Sequence, residues 1–144
     1  GLKGLKIKFM NKQLFVNNII SYITIIGFLF LNSISLYSQD FINARNFDKK
    51  ISNDIVVIEF WAEWNDKNKF EDLGRLSECQ KYRVDINENE SLKDKYDIMA
   101  LPTIIVFNDG KQEKRFNANI AFELNATKKD IQNIIDDLIL QKFR

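Results

Sequence analysis

The side chains able to do nucleophilic or metal chemistry are few in this chain. Its 144 residues include one cysteine, Cys79, and no histidine. One cysteine excludes an intramolecular disulfide, and the lack of histidine excludes Ser–His and Cys–His catalysis and most zinc sites. We therefore expect no metal and no cofactor. The Cys79 thiol is the candidate reactive group, although a free cysteine is most often a small buried hydrophobic residue.

A carboxyl group is the second candidate. Glu59 lies in the unbroken β-branched and aromatic run Ile55–Trp61, a pattern that predicts a strand buried on both faces. Burial raises the pKa of a carboxyl group unless a cation lies beside it. We therefore expect Glu59 to have a raised pKa or to pair with a lysine.

Three further strands are predicted downstream. Residues 82–86 (YRVDI) are a short strand pattern, residues 103–107 (TIIVF) are a short apolar run, and residues 112–117 follow the sequence NDGK at residues 108–111. A turn of this composition joins the two strands of a hairpin. The last two predicted strands are therefore expected to be antiparallel neighbours.

Three helices are predicted between and after these strands. The first begins at Asn65 and has apolar residues at three-residue spacing on one face, the second covers residues 91–96, and the third follows Thr127, a good N-cap residue. The apolar positions of the first and third helices are Phe70, Leu73 and Leu76, and Ile131, Ile134, Ile135, Leu138 and Ile139. The order β-α-β-α-β-β-α predicts an α/β fold whose mixed sheet is covered by helices on both faces.

Residues 1–39 have the composition of an export signal. Four lysines are their only charged residues, residues 19–31 are apolar, and residues 32–39 are mostly small or polar. This order is typical of a secretory signal peptide whose true start is Met10, and an uncleaved membrane anchor is the alternative. We predict this signal or anchor before one domain over residues 40–144. The predicted destination is the bacterial periplasm, the cell envelope or the medium.

The predicted domain is mildly acidic. All 20 acidic residues and 17 of the 21 basic residues lie at or after Asp40, which gives this part a net charge of −3. The two signs are mixed along the chain, without the basic stripe that a nucleic-acid-binding face needs. We therefore expect no nucleic-acid partner, and a membrane partner only if the N-terminal segment stays uncleaved.

Three motifs carry a family resemblance. Residues 56–64 (VVIEFWAEW) are similar to the strand that leads into the active site of thioredoxins, where the family reads FWAxWCxxCK and this chain reads FWAEWNDKNK. Residues 83–89 resemble the family's third strand and its exit, and residues 100–107 (ALPTIIVF) resemble its cis-proline loop and fourth strand. The resemblance to the thioredoxin family covers residues 47–140. It implies the thioredoxin-like fold, a central mixed sheet flanked by helices, here preceded by an N-terminal signal or hydrophobic helix.

The resemblance aligns both active-site cysteines of the family with asparagines, Asn65 and Asn68. A carboxamide has no thiolate form and no redox couple, so dithiol exchange is impossible at these positions and no catalytic residue is expected there. Asn65 is expected instead to be an N-cap whose side-chain oxygen accepts the N–H of Lys67 or Asn68. The chain also departs from the family in having extra residues at 116–126.

The resemblance implies a role for Glu59 as well. It matches the family's buried acid, which passes a proton to the second cysteine. Because that cysteine is absent, we expect Glu59 to be a structural polar residue, and we expect Trp61 to be structural too.

The motif at residues 100–107, which resembles the family's cis-proline loop, implies a binding edge. It predicts a cis peptide bond before Pro102 and a backbone next to the proline that pairs with an extended peptide, a form of strand addition. The candidate peptide-binding residues are therefore Trp64, Asn65, Leu101, Pro102 and Thr103. The alternative is that the helix start and the proline turn serve the fold alone.

Together these features favour an exported, redox-inactive thioredoxin-family protein that binds a protein or an extended peptide and is not an enzyme. Two alternatives stay open. A one-thiol redox protein would need Cys79 to be exposed with a lowered pKa. A membrane-tethered structural subunit would need the N-terminal segment to be retained.

Overall fold

The structure, a computed structural model, describes residues 1–10, 12, 15 and 40–144 of the chain. Contacts divide the chain into two compact units, Gly1–Tyr37 and Ser38–Arg144. In the first unit, residues 2–10 are helical and exposed. None of the helices among the described residues is long and apolar enough to span a membrane. The apolar run over residues 19–31, on which the signal prediction depends, lies outside the described residues.

The second unit is built on a five-stranded mixed sheet. Its strands are β1 Asp40–Phe41, β2 Ile55–Trp61, β3 Gln80–Asp85, β4 Thr103–Asn108 and β5 Lys111–Asn117. Their order across the sheet is β1-β3-β2-β4-β5. β3 pairs in parallel with β1 and β2, and β4 pairs antiparallel with β2 and β5. The predicted mixed sheet and hairpin are confirmed, and β1 is an edge strand that the hydrophobic pattern did not indicate.

Within residues 40–144, three α-helices and two short 3-10 segments connect the strands. The helices are α1 Phe47–Ile51, α2 Glu90–Lys95 and α3 Lys128–Lys142, and the 3-10 segments are Glu63–Asn68 and Glu71–Arg75. α3 begins at the predicted N-cap, Thr127, whose side chain forms a capping box with Asp130. The predicted third helix is therefore confirmed.

Two apolar cores lie on the two faces of the sheet, because side chains alternate sides along each strand. The core beneath α1 and α2 includes Phe47, Phe60 and Phe107. The core beneath α3 and the second 3-10 segment includes Leu73, Ile104, Ile131 and Ile135. β2 contributes to both cores and is buried from Ile55 to Phe60, which confirms the strand that was predicted to be buried on both faces.

The predicted helix from Asn65 is wrong in type. Two 3-10 segments replace it, separated by an extended backbone at Phe70. Phe70, Leu73 and Leu76 are all buried, as predicted, but only Leu73 lies inside a 3-10 segment, and Phe70 and Leu76 flank that segment in extended backbone. In addition, the Phe70 N–H donates to the Glu59 carboxylate at 2.7 Å, so it is not available to the carbonyl four residues earlier.

Candidate functional site

The predicted site residues meet at one edge of the sheet. β2 and β4 are antiparallel, with Phe60 opposite Thr103, so the end of β2 and the start of β4 lie side by side. Trp64 and Asn65 follow β2 in the first 3-10 segment. Leu101 and Pro102 precede β4 and are joined by a cis peptide bond, as the resemblance implied. The topology therefore places all five candidate peptide-binding residues at this edge.

Asn65 is not the N-cap that was predicted. The first 3-10 segment has Ala62 as its N-cap, and Asn65 lies inside it, buried. Its side-chain Nδ2 donates to the carbonyl oxygen of Leu101 at 2.9 Å and to that of Phe122 at 3.3 Å. Its Oδ1 accepts from Nδ2 of Asn68 at 2.9 Å. A buried amide is costly unless it is hydrogen-bonded, and these distant partners satisfy it better than the exposed start of a short helix.

The carbonyl groups of the cis-proline turn all have partners within the chain. The Ala100 oxygen accepts from the hydroxyl of Thr103 at 2.7 Å. The Leu101 oxygen accepts from Asn65, and the Pro102 oxygen accepts from the N–H of Ala118 at 3.0 Å. The edge that was predicted to receive an extended peptide is therefore bonded to the chain itself at three successive carbonyls.

Residues 118–124, here called the Phe122 loop, cover part of this edge. An antiparallel bridge between Ala118 and Leu124 closes the loop. The Phe122 ring packs edge-on against the indole of Trp64, with centroids 5.4 Å apart and an interplanar angle of 87°. The sequence analysis missed Phe122, and the extra residues at 116–126 were the signal that could have indicated it.

The Phe122 loop is held by its own hydrogen bonds as well. The side-chain oxygen of Asn119 accepts the N–H groups of Ala121 and Glu123 at 2.8 and 3.1 Å, and its backbone oxygen accepts the N–H of Phe122 at 3.0 Å. Phe122 has a φ of +60°, in the left-handed region that bulky side chains rarely adopt. The contacts of the loop therefore hold Phe122 in an unfavourable backbone conformation.

Glu59 forms a buried ion pair behind the site. Its partner is Arg83 rather than a lysine, because β2 and β3 place the two residues opposite each other. Nε and Nη2 of Arg83 lie 2.8 and 2.6 Å from one carboxylate oxygen of Glu59, and the other oxygen accepts the N–H of Phe70. Burial raises the pKa of Glu59, and the Arg83 charge and the Phe70 N–H oppose that rise. Glu59 thus binds β2 to β3 and to the chain between the two 3-10 segments.

Trp61 is the last residue of β2 and lies just before the segment that holds Trp64 and Asn65. Its ring packs edge-on against Phe41 of β1, with centroids 5.6 Å apart. Its indole N–H is buried and has no hydrogen-bond partner among the described residues. The Trp61 ring therefore joins the edge strand to the centre of the sheet, and its structural role stays a prediction.

Cys79 lies away from these residues, just before β3. It is half-buried and packs against the core beneath α3. Burial raises the pKa of the Cys79 thiol to about 11, although the nearby Lys81 lowers it. This shift is opposite to the one that a one-thiol redox protein needs. Cys79 also lines an open cavity of about 360 Å³ together with Ile55, Ile139 and Phe143.

Comparison with known proteins relates the chain to thioredoxins. The family model described as Thioredoxin matches residues 39–136. The thioredoxin of Staphylococcus aureus is 34% identical over 73 residues, which cover 46% of this chain and 70% of that protein. Among solved structures, mitochondrial thioredoxin 3 of Saccharomyces cerevisiae is similar with a TM-score of 0.57 and 23% identity, over 70% of this chain and 97% of that chain. A mutant thioredoxin from Halobacterium salinarum NRC-1 is similar with a TM-score of 0.58 and 20% identity, over 73% and 94%. The fold is therefore thioredoxin-like.

Proposed function

The chain belongs to the thioredoxin family, and from that premise we propose that residues 40–144 are a redox-inactive module that binds a protein or an extended peptide. The supporting observation is the pair of carboxamides, Asn65 and Asn68, which are hydrogen-bonded to each other at 2.9 Å at the positions that align with the family's two cysteines. An amide pair has neither the thiolate that attacks a disulfide nor the second thiol that resolves the intermediate. Thiol–disulfide exchange at this site is therefore outside its chemistry.

The binding surface that we propose is the edge formed by Trp64 and the cis-proline turn. Trp64 is 59% exposed, whereas Leu101, Pro102 and Thr103 beside it are buried. Exposed tryptophans are common anchors of protein interfaces because they bury much area with little loss of conformational freedom. An extended peptide lying along residues 101–103 would add backbone hydrogen bonds without needing a thiol.

Export is the third part of the proposal. It is supported by the order of charges and apolar residues before residue 40. The intact mass of the protein recovered from the cell envelope or the medium distinguishes the cases. Loss of residues up to about 39 supports a cleaved signal, and retention of the segment supports the membrane-tethered subunit instead.

A backbone NMR titration of the full chain with a panel of unfolded and extended peptides tests the binding function. We expect chemical-shift changes that cluster at Trp64 and at residues 101–103. Trp64→Ala should weaken binding about tenfold or more, as the loss of an aromatic anchor does.

Phe143→Ala is the matched control for this titration, because Phe143 is also an exposed aromatic residue, 85% exposed, but lies at the end of α3. It should leave the affinity unchanged. Shifts that are absent from the Trp64 edge, or an equal loss in both variants, would refute the binding surface and favour a purely structural domain.

A further inference from the structure

Asn65 and the Phe122 loop together occupy groups that a bound peptide would need. A peptide N–H that pairs with this edge requires the carbonyl of Leu101, which already accepts from Asn65 at 2.9 Å. A peptide side chain that packs on Trp64 requires the indole face that Phe122 contacts at 5.4 Å. An extended peptide therefore competes with Asn65 for the Leu101 carbonyl and with the loop for the Trp64 ring.

Asn65 connects the two halves of the closed edge. Its Nδ2 reaches the carbonyls of both Leu101 and Phe122, and Asn68 holds the amide in that orientation through its Oδ1. The remaining tie is the hydrogen bond from Ala118 N–H to Pro102. One buried carboxamide thus bonds the loop to the cis-proline turn.

Leu124 at the end of the loop packs against the core beneath α3, but the outer side of the loop makes few buried contacts. Ile120 at its tip is fully exposed, and the Phe122 side chain is 46% exposed despite its contact with Trp64. Segments with few buried contacts open at low free-energy cost, so the loop can leave the edge while the sheet stays folded.

We propose that the Phe122 loop is a lid over the binding edge and that Asn65 is its latch. An extended peptide binds after the loop has released Asn65 and Trp64. The apparent affinity is then the intrinsic affinity reduced by the small fraction of molecules with an open lid. This assignment rests on the proposed peptide-binding function, and it gives Asn65 a positioning role in place of a peptide contact.

The test is whether the affinity for a peptide rises or falls when the latch is removed. In the full chain, Asn65→Ala and Phe122→Ala each remove one fastening of the loop and should tighten binding about two- to tenfold, the effect of freeing one hydrogen bond or ring contact. The probe is a fluorescein-labelled decapeptide of four valine–serine pairs between two lysines. Its binding is measured by fluorescence anisotropy. Lys67→Ala and Ile120→Ala, exposed neighbours in the same two segments, should leave the affinity unchanged.

Amide hydrogen exchange of residues 118–124 gives a second measurement that needs no peptide. Exchange should be faster in Asn65→Ala and Phe122→Ala than in the wild type and the two controls. Binding that weakens or stays the same in Asn65→Ala, or exchange that is unchanged in both lid variants, would overturn the lid. If no variant binds the probe while exchange is faster as expected, Asn65 does hold the loop closed, but the peptide-binding function fails and the lid role that rests on it fails too.

Discussion

Glu59 has an environment that is unfavourable for a charged group, because its carboxyl group has no exposed surface. Arg83 supplies two donors to one of its oxygens, and Phe70 N–H supplies a donor to the other. Buried ion pairs of this kind contribute little net stability while they are intact, but removing one partner leaves an uncompensated charge. The pair therefore matters most when it is broken.

Arg83→Leu is expected to lower the free energy of unfolding by about 3–5 kcal/mol at neutral pH. The matched control is Arg75→Leu, which removes an exposed arginine paired with Asp72 and should cost about 0–1 kcal/mol. Urea unfolding of both variants and the wild type measures the difference. Equal losses in the two variants would contradict the importance of the buried pair.

The same variant has a predicted pH dependence. Burial raises the pKa of Glu59 and Arg83 lowers it, so removing Arg83 should raise this pKa further. A carboxyl whose folded-state pKa is raised loses its contribution to stability as the pH rises through that pKa. The deficit of Arg83→Leu should therefore shrink as the pH falls toward 4.5, the ordinary pKa of the group. A deficit that stays constant would show that Glu59 is not the cause.

Single residues also show where sequence reasoning stopped. The position of Asn65 beside the cis-proline turn followed from the family resemblance. Its hydrogen bonds did not, because their acceptors, Leu101 and Phe122, lie 36 and 57 residues away. An asparagine at the start of a helical pattern favours a local cap, and a local rule contains no information about a carbonyl brought near by the sheet.

At the level of elements, local signals decided which predictions succeeded. The strands of the hairpin, its turn at Asp109 and Gly110 with positive φ values, and the capped start of α3 each depend on short-range patterns. The helix after β2 failed because a residue outside it, Glu59, takes the N–H of Phe70. The position of the Phe122 loop was not predicted, because extra residues in a sequence indicate an insertion but not where the insertion folds.

Thr127→Ala tests the start of α3, which the sequence predicted from its N-cap residue. The Thr127 hydroxyl accepts the N–H of residue 130, and its loss should lower the free energy of unfolding by about 1 kcal/mol. Asn133→Ala, an exposed change within the same helix, is the control and should be neutral or slightly stabilising because alanine favours helix. Thermal or urea unfolding measures both. A loss in Asn133→Ala equal to that in Thr127→Ala would refute the cap.

At the level of the whole molecule, the thiol and the edge that we propose for binding lie at opposite ends of β2. Ile55, its first residue, lines the cavity beside Cys79, and Trp61, its last, lies next to the segment that holds Asn65. Seven extended residues span roughly 20 Å. Cys79 therefore lies far from Asn65 and Asn68, and the thiol is separated from the surface that we propose for binding.

An insulin-reduction assay tests most directly whether this thioredoxin fold works without thiol–disulfide exchange. Dithiothreitol reduces the insulin disulfides in the presence of the full chain, and turbidity reports the rate. We predict that the rate equals the rate in buffer for both the wild type and Cys79→Ala, while a thioredoxin with an intact CxxC accelerates the reaction in the same assay. Accelerated reduction by the wild type would contradict the proposal: acceleration lost in Cys79→Ala would favour the one-thiol redox protein, and acceleration that persists would place redox chemistry elsewhere in the chain.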